Sequence, residues 1–198
     1  MRNELLTLVD TVNRELGISV TLNAPAQGAE LPGALRGFYE ATDGLKLPFV
    51  EIWPAAKVAK DPSHGWLQFG SDGLLSFCLC RPEARARRAL DLWDHESGRA
   101  PEGAFDDMLQ LLQFAYEKYV TDERVPATVH ILDVPRGVQH QDVVRSLKRV
   151  SSRPTGALLQ DILRLPLAFA CPTAVDGIRL VRELQHYGVV CHLRLDGA

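Results

Sequence analysis

No part of this chain stays apolar for long. The longest nearly unbroken run, Leu165 to Pro172, falls far short of the roughly 20 residues a helix needs to cross a bilayer. Cysteine is scarce as well, with four in 198 residues. Cys78, Cys80, Cys171 and Cys191 all lie in apolar, strand-like segments, where a free thiol behaves as a small buried hydrophobe, so no disulfide framework is expected. The chain has no GxGxxG or Walker-type glycine loop, no HExxH and no nucleophile elbow, which argues against a dinucleotide fold, a zinc hydrolase and an elbow-type serine hydrolase. The opening MRNELLTLVDTVNREL carries Glu4, Asp10 and Glu15 among its apolar residues. It lacks both the apolar core of a signal peptide and the acid-poor composition of a transit peptide, so the expected address is the cytoplasm, with no membrane partner.

What is present is an ordinary globular composition, 46% hydrophobic and 24% charged, enough for one large core or two small ones. The net charge of −3 is unevenly spread. Through Asp122 there are 12 Lys/Arg against 18 Asp/Glu, a balance of −6, and from Glu123 onward 10 against 7, a balance of +3. The acidic first part would repel nucleic acid, and no nucleic-acid partner is expected.

The charge break coincides with a change of pattern. From Gly103 the chain reads GAFDDMLQLLQFAYEKYV, with Phe105, Met108, Leu109, Leu112, Ala115, Tyr116 and Tyr119 on one helical face. A polar TDERVP follows, then a fresh β-like run, ATVHILDV, which places a domain junction at 121 to 126 and two domains at 1–122 and 126–198. In the first domain the pattern predicts a helix over Glu4 to Leu16 ended by Gly17, and a short strand over Ile18 to Leu22. A second helix over Leu31 to Thr42 is stopped by Asp43-Gly44. Strands are predicted over Phe49 to Trp53, Trp66 to Phe69, Leu74 to Cys80 and Ala89 to Trp93, with a Ser71-Asp72-Gly73 hairpin turn. Helices flanking a run of strands predict an α+β class with an antiparallel sheet. The second domain reads as β-α-α-β-α-β: strand Thr128 to Val134, helices Val138 to Val150 and Thr155 to Leu163, strand Leu167 to Cys171, helix Ala174 to Tyr187 and strand Val189 to Leu195.

Each residue with chemical potential has a plainer reading. Cys78 and Cys80 alternate with Phe77 and Leu79 and would share a strand face, yet no second cysteine pair supplies the four ligands of a usual zinc site, so they read as core thiols. His95, in Trp93-Asp94-His95-Glu96, has acids beside it that could orient an imidazole. Neighbours on a strand point to opposite faces, and turns recruit Asp for backbone reasons, so this cluster reads as a turn or a partner-facing surface. His64, His130, His140, His186 and His192 lack paired helical spacing. The basic run from Arg81 to Arg88 is interrupted by Glu83 and has no interleaved aromatics, and reads as a solvated loop or short helix. Trp53, Trp66 and Trp93 each border a strand, where tryptophan serves either the core or a partner.

The blocks LPGALRGFYEATDGL, IWP, FGSDG with its following apolar strand, WDHE and a closing helix that begins AFDDMLQLL resemble the SUKH superfamily over about residues 1 to 120. That superfamily includes bacterial immunity proteins that neutralise toxins by binding them and fungal regulators of cell-wall synthesis. The matching positions are Leu31, Pro32, Phe38, Tyr39, Asp43, Gly44, Gly70, Asp72, Gly73, Trp93, Asp94, His95 and Glu96. The resemblance implies an α+β fold whose sheet presents a binding face, with no catalytic residues. FCLC stands where the family more often ends a strand in an acid, and Leu74-Leu75 follows the DG turn where another glycine is common.

From Thr128 to Leu195 the order of blocks is similar to the C-terminal domain of the ribosomal stalk protein. Val143-Val144 and Leu147-Lys148 fall in a first helix, Thr155-Gly156-Ala157-Leu158-Leu159 opens a second, Leu165-Pro166 follows, and a third helix reaches Tyr187-Gly188. In the stalk protein the second helix carries lysines that dock translation factors. Here it reads TGALLQDIL without them, so the resemblance implies the fold and a protein-interaction role only.

These readings converge on a non-enzymatic protein-binding chain of the immunity type, with no cofactor or metal and a basic toxin as the expected partner. Charge complementarity to an acidic domain is the physical reason. The residues expected to meet that partner are Asp43, Glu51, Trp53, Asp72, Asp94, His95 and Glu96. The alternatives are a regulatory or translation-associated adaptor acting through the second domain, and a thiol or metal enzyme built on Cys78, Cys80 and His95.

Overall fold

A computed structural model describes residues 1–26, 31–60, 66–80, 89–94, 96, 99–101, 103–122 and 125–196, with the side chains of 59 and 60 excepted. His64, the basic run 81–88 and His95 lie outside the described residues. The class is α+β. Two compact units form, one from Met1–Val9 and Val20–Glu117 and the other from Asp10–Ser19 and Lys118–Ala198.

Helix α1 (Arg2–Leu16) begins the chain, its residues as far as Val9 counting with the first unit and those from Asp10 with the second, and α2 (Gly33–Tyr39) follows in the first unit. The strands are β1 (Leu45–Leu47), β2 (Val50–Ile52), β3 (Ala59–Lys60), β4 (Leu67–Ser71), β5 (Ser76–Leu79) and β6 (Leu90–Trp93). They form one antiparallel sheet in the order β1-β2-β4-β5-β6, with β3 also paired to β4. Alternation sets the faces: Val50, Ile52, Phe69 and Phe77 are buried, as are Leu35, Phe38 and Tyr39 of α2 and Met108, Leu111, Leu112, Ala115 and Tyr116 of α3 (Met108–Val120). The Phe49 and Tyr116 rings meet at 5.4 Å, tying the β1–β2 turn to α3.

Three local expectations differ from the structure. Residues 18–22 alternate in burial as a strand would but belong to neither sheet among the described residues; on either side, Ile18 N–H closes the helix end on the Asn13 carbonyl, and residues 23–26 are stitched to the end of α2 through Thr42, Asp43 and Tyr39. The last helix of the unit starts at Met108 and not near Gly103, since Phe105 is taken by a bridge to Leu90 of β6. The second helix covers only the middle of Leu31 to Thr42. It ends at Tyr39 with Glu40 as its cap, ahead of the expected Asp43-Gly44 stop; Gly44, at φ +78 and with the Ile52 carbonyl where a side chain would stand, instead serves the turn into β1.

The second unit contains β7 (Ala127–Asp133), α4 (His140–Arg149), α5 (Thr155–Ile162), β8 (Leu167–Cys171), α6 (Ala174–His186) and β9 (Val190–Leu195). Its sheet is antiparallel in the order β8-β7-β9. Val129, Ile131, Phe169, Cys171, Cys191 and Leu193 are buried on one face, and α6 packs on β7 and β9 closely enough that Gly177 leaves no room for a methyl beside Leu193. Residues 10–19 belong to this unit through side-chain contacts. The Arg182 guanidinium donates two bonds to the buried Glu15 carboxylate, at 3.0 and 3.2 Å, and Arg14 bonds Gln185 at 3.1 Å.

Candidate functional site

The register of the first sheet groups the expected partner-facing residues into two places. Lys46 lies opposite Glu51, Glu51 opposite Ser71, Ser71 opposite Ser76, and Ser76 opposite Trp93, so one transverse row crosses five strands. Asp72 and Asp94 continue β4 and β6 past that row, with β5 between them. At about 4.8 Å per strand they stand roughly 10 Å apart at the same end of the sheet. Glu96 joins them, its backbone N–H held by Asp94 Oδ1 at 2.9 Å. Glu51, Asp94 and Glu96 are exposed and Asp72 is half-exposed. Leu74, at the tip of the β4–β5 hairpin beside Asp72, is 78% exposed, the most exposed large apolar side chain among the described residues.

Asp43 and Trp53 sit at the opposite end of the β1–β2 hairpin and are engaged in the fold. Asp43 Oδ1 accepts the Ala55 N–H at 2.7 Å, and the Trp53 carbonyl accepts the Tyr39 hydroxyl at 2.7 Å. Burial, and then the Asp43 carboxylate, push Tyr39 well above the ordinary tyrosine range, so it stays a donor. His95 is outside the described residues and takes no position in either group.

The acids at the sheet end also have structural duties. Asp72 Oδ1 accepts from Leu74 and Leu75 N–H at 3.0 and 2.7 Å, while Ser71 Oγ accepts from Gly73 N–H at 2.9 Å, fixing the turn below Leu74. Such bonds order the loop. Sequence reasoning missed Lys46, Ser71, Ser76 and Leu74. Alternation around the SDG turn could have placed Ser71 and Ser76, whereas Lys46 required knowledge of β1.

Trp66, Trp93 and Cys78 form a buried cluster, the two indoles meeting edge to face at 5.2 Å. All four cysteines are free and buried. Burial, then Asp91, pushes Cys80 up to about 11; burial, then Asp176, pushes Cys171 up to about 11; burial pushes Cys191 up to about 12. Thiols so placed carry almost no thiolate at neutral pH and are poor nucleophiles. Among the described residues no group of three or more His, Cys, Asp and Glu side chains is placed to hold a metal ion, and no helix is long and apolar enough to cross a membrane.

Neither a protein-family model nor a curated protein nor a solved structure matches the chain.

Proposed function

We propose that the first unit is a non-catalytic binding module that takes a basic protein surface, and that neutralisation of a toxin, in the manner the SUKH resemblance implies, is its biological use. The observation that carries this reading is the end of the first sheet, where Asp72, Asp94 and Glu96 follow the ends of β4 and β6, Glu51 lies in the adjoining row opposite Lys46 and Ser71, and Leu74 stands exposed at the tip of the β4–β5 hairpin. An apolar anchor within a charged rim suits protein recognition. The leucine supplies desolvation energy, while the acids steer encounter and reject acidic competitors. The raised pKa of Cys80 weighs against thiolate chemistry at that residue.

Affinity capture from the native host with the intact chain as bait, followed by co-expression with the captured protein, tests the proposal. The expected result is a basic protein whose toxicity is relieved. Its binding should weaken at higher salt and by at least about tenfold in Glu51→Lys/Asp94→Lys, as close interfacial charge pairs do. Recovery of no protein partner, or binding indifferent to that charge reversal, would defeat it.

The adaptor reading has one observation in its favour: Leu159 and Leu163 on and just after α5 are 38% and 63% exposed. Ribosome co-sedimentation lost in Leu159→Ser/Leu163→Ser, with toxin rescue absent, would move the functional contact to the second unit.

A further inference from the structure

A sheet edge presents unpaired N–H and C=O groups, and proteins normally protect it with charge, proline, brevity or cover. Among the described residues β1 is three residues with Lys46 at its centre, β3 is only two residues long, and β6 is covered by the Leu90 bridge to Phe105. At β9, Gln185 Nε2 donates to the Cys191 carbonyl at 2.9 Å and Arg194 lies within the strand. The remaining edge, β8, has none of these. Leu167-Ala168-Phe169-Ala170-Cys171 holds no charge, proline or glycine and runs in unbroken register along β7, and among the described residues β7 is its only strand partner. Pro166 and Pro172 bracket it, so the open edge is five residues long and ends sharply on both sides.

The residues along that edge complement themselves. A two-fold interface must place the same surface on both partners. With strands antiparallel about Phe169, Ala168 of one copy faces Ala170 of the other, Leu167 faces Cys171, and Phe169 faces itself. No charge meets a like charge, and the exposed positions 168 and 170 carry only methyl groups, so nothing on the open face holds the backbones apart. We propose that a second copy of this chain pairs with β8 edge to edge, joining two β8-β7-β9 sheets into one six-stranded antiparallel sheet. The contact rests on the second unit alone and stands or falls separately from the toxin-binding proposal. Five paired residues bury less than the roughly 1,200 Å² of a standard interface, which makes the dimer weak and concentration-dependent.

Sedimentation of the intact chain over a concentration series reads the dimer directly. The wild type is expected to shift from monomer toward dimer as concentration rises. Ala168→Lys/Ala170→Lys and Ala168→Glu/Ala170→Glu set like charges opposite one another and should each weaken self-association by at least about tenfold. An equimolar mixture of the two variants should restore pairing, now between unlike chains. A wild type that stays monomeric up to about 1 mM, lysine variants that dimerise unchanged, or a mixture that fails to pair would overturn the proposal. Should the variants fold poorly, amide exchange on the wild type decides: β8 amides must slow with concentration while β9 amides do not, and β8 rates independent of concentration refute it.

Discussion

Replacing Gly70 with alanine tests the packing that aligns the candidate binding row. Gly70 is buried in β4, opposite Ile52 of β2 and Phe77 of β5. A methyl built there would lie 2.5 Å from the Glu51 carbonyl oxygen and 3.1 Å from both Ile52 Cδ1 and Phe77 Cδ2. The side-chain contacts could relax by rotation, but the carbonyl belongs to the neighbouring strand, so β2 and β4 must move apart. Overpacking costs about 1–3 kcal/mol, and a backbone obstacle puts this site at the upper end. The loss of unfolded-state freedom on Gly→Ala returns about 0.4–1 kcal/mol, leaving a net destabilisation of about 2 kcal/mol. For a domain of this size that corresponds to a fall in Tm of roughly 8–16 °C. All three tryptophans, Trp53, Trp66 and Trp93, lie in the first unit, whereas Tyr119 and Tyr187 lie in the second, so selectively excited tryptophan fluorescence in a urea titration follows the first unit. Gly37, in α2 with nothing within 4 Å of an added methyl, is the control. Gly37→Ala should gain about 0.5–1 kcal/mol from helix propensity. Unfolding free energies for Gly70→Ala and the wild type that agree to within about 0.5 kcal/mol would refute the close β2–β4 approach.

Burial, and then the stacked His130 ring 5.1 Å away, hold His192 below its ordinary value, so the unfolded chain takes up that proton more readily. The second unit should therefore be most stable above about pH 6.5 and lose stability as pH falls through the folded-state value, a loss that His192→Gln should blunt in amide-exchange measurements. Thr173 Oγ1 accepts the Asp176 N–H at 3.1 Å at the start of α6, and Thr173→Ala should cost about 1 kcal/mol while Thr173→Ser retains most of it, read by chemical denaturation followed by far-UV circular dichroism. Cys80, Cys171 and Cys191 should alkylate slowly in the folded protein near about pH 7.5 and fully in urea; rapid native labelling would contradict their burial.

Most of the second unit was legible in the sequence because its elements are long and cleanly punctuated. Thr173 caps α6, prolines bracket β8, and the strand and helix order follows directly from the change of period. The first unit was legible only in outline. Leu45-Lys46-Leu47 is too short to show alternation and stands directly after a helix stop, so β1 was missed, while residues 18–22 alternate without forming a ladder. The attachment of residues 10–19 was invisible for another reason: Glu15 and Arg182 are 167 positions apart, and no local pattern announces so distant a pair.

The candidate residues show the same limit. Sequence reasoning grouped Asp43, Glu51, Asp72 and Asp94 by type and by their place near turns, whereas strand register separates Asp43 from the other three. Register was out of reach because a bulge between Gln68 and Gly70 shifts the β4–β5 pairing. Nor does a structural duty exclude a binding one: Asp72 anchors two backbone N–H groups through Oδ1, and a carboxylate has acceptor capacity for more than two such bonds. Substitution separates the two duties. Asp72→Asn keeps the acceptor and removes the charge, whereas Asp72→Ala removes both. If the acidic end recognises a basic partner, Asp72→Asn should leave the unfolding free energy from urea titration within about 0.5 kcal/mol of wild type yet weaken capture of the partner. Asp72→Ala should add a loss of about 1 kcal/mol from the turn. Normal capture by Asp72→Asn beside a destabilised Asp72→Ala would make Asp72 a fold residue alone and leave recognition to Glu51, Asp94 and Glu96.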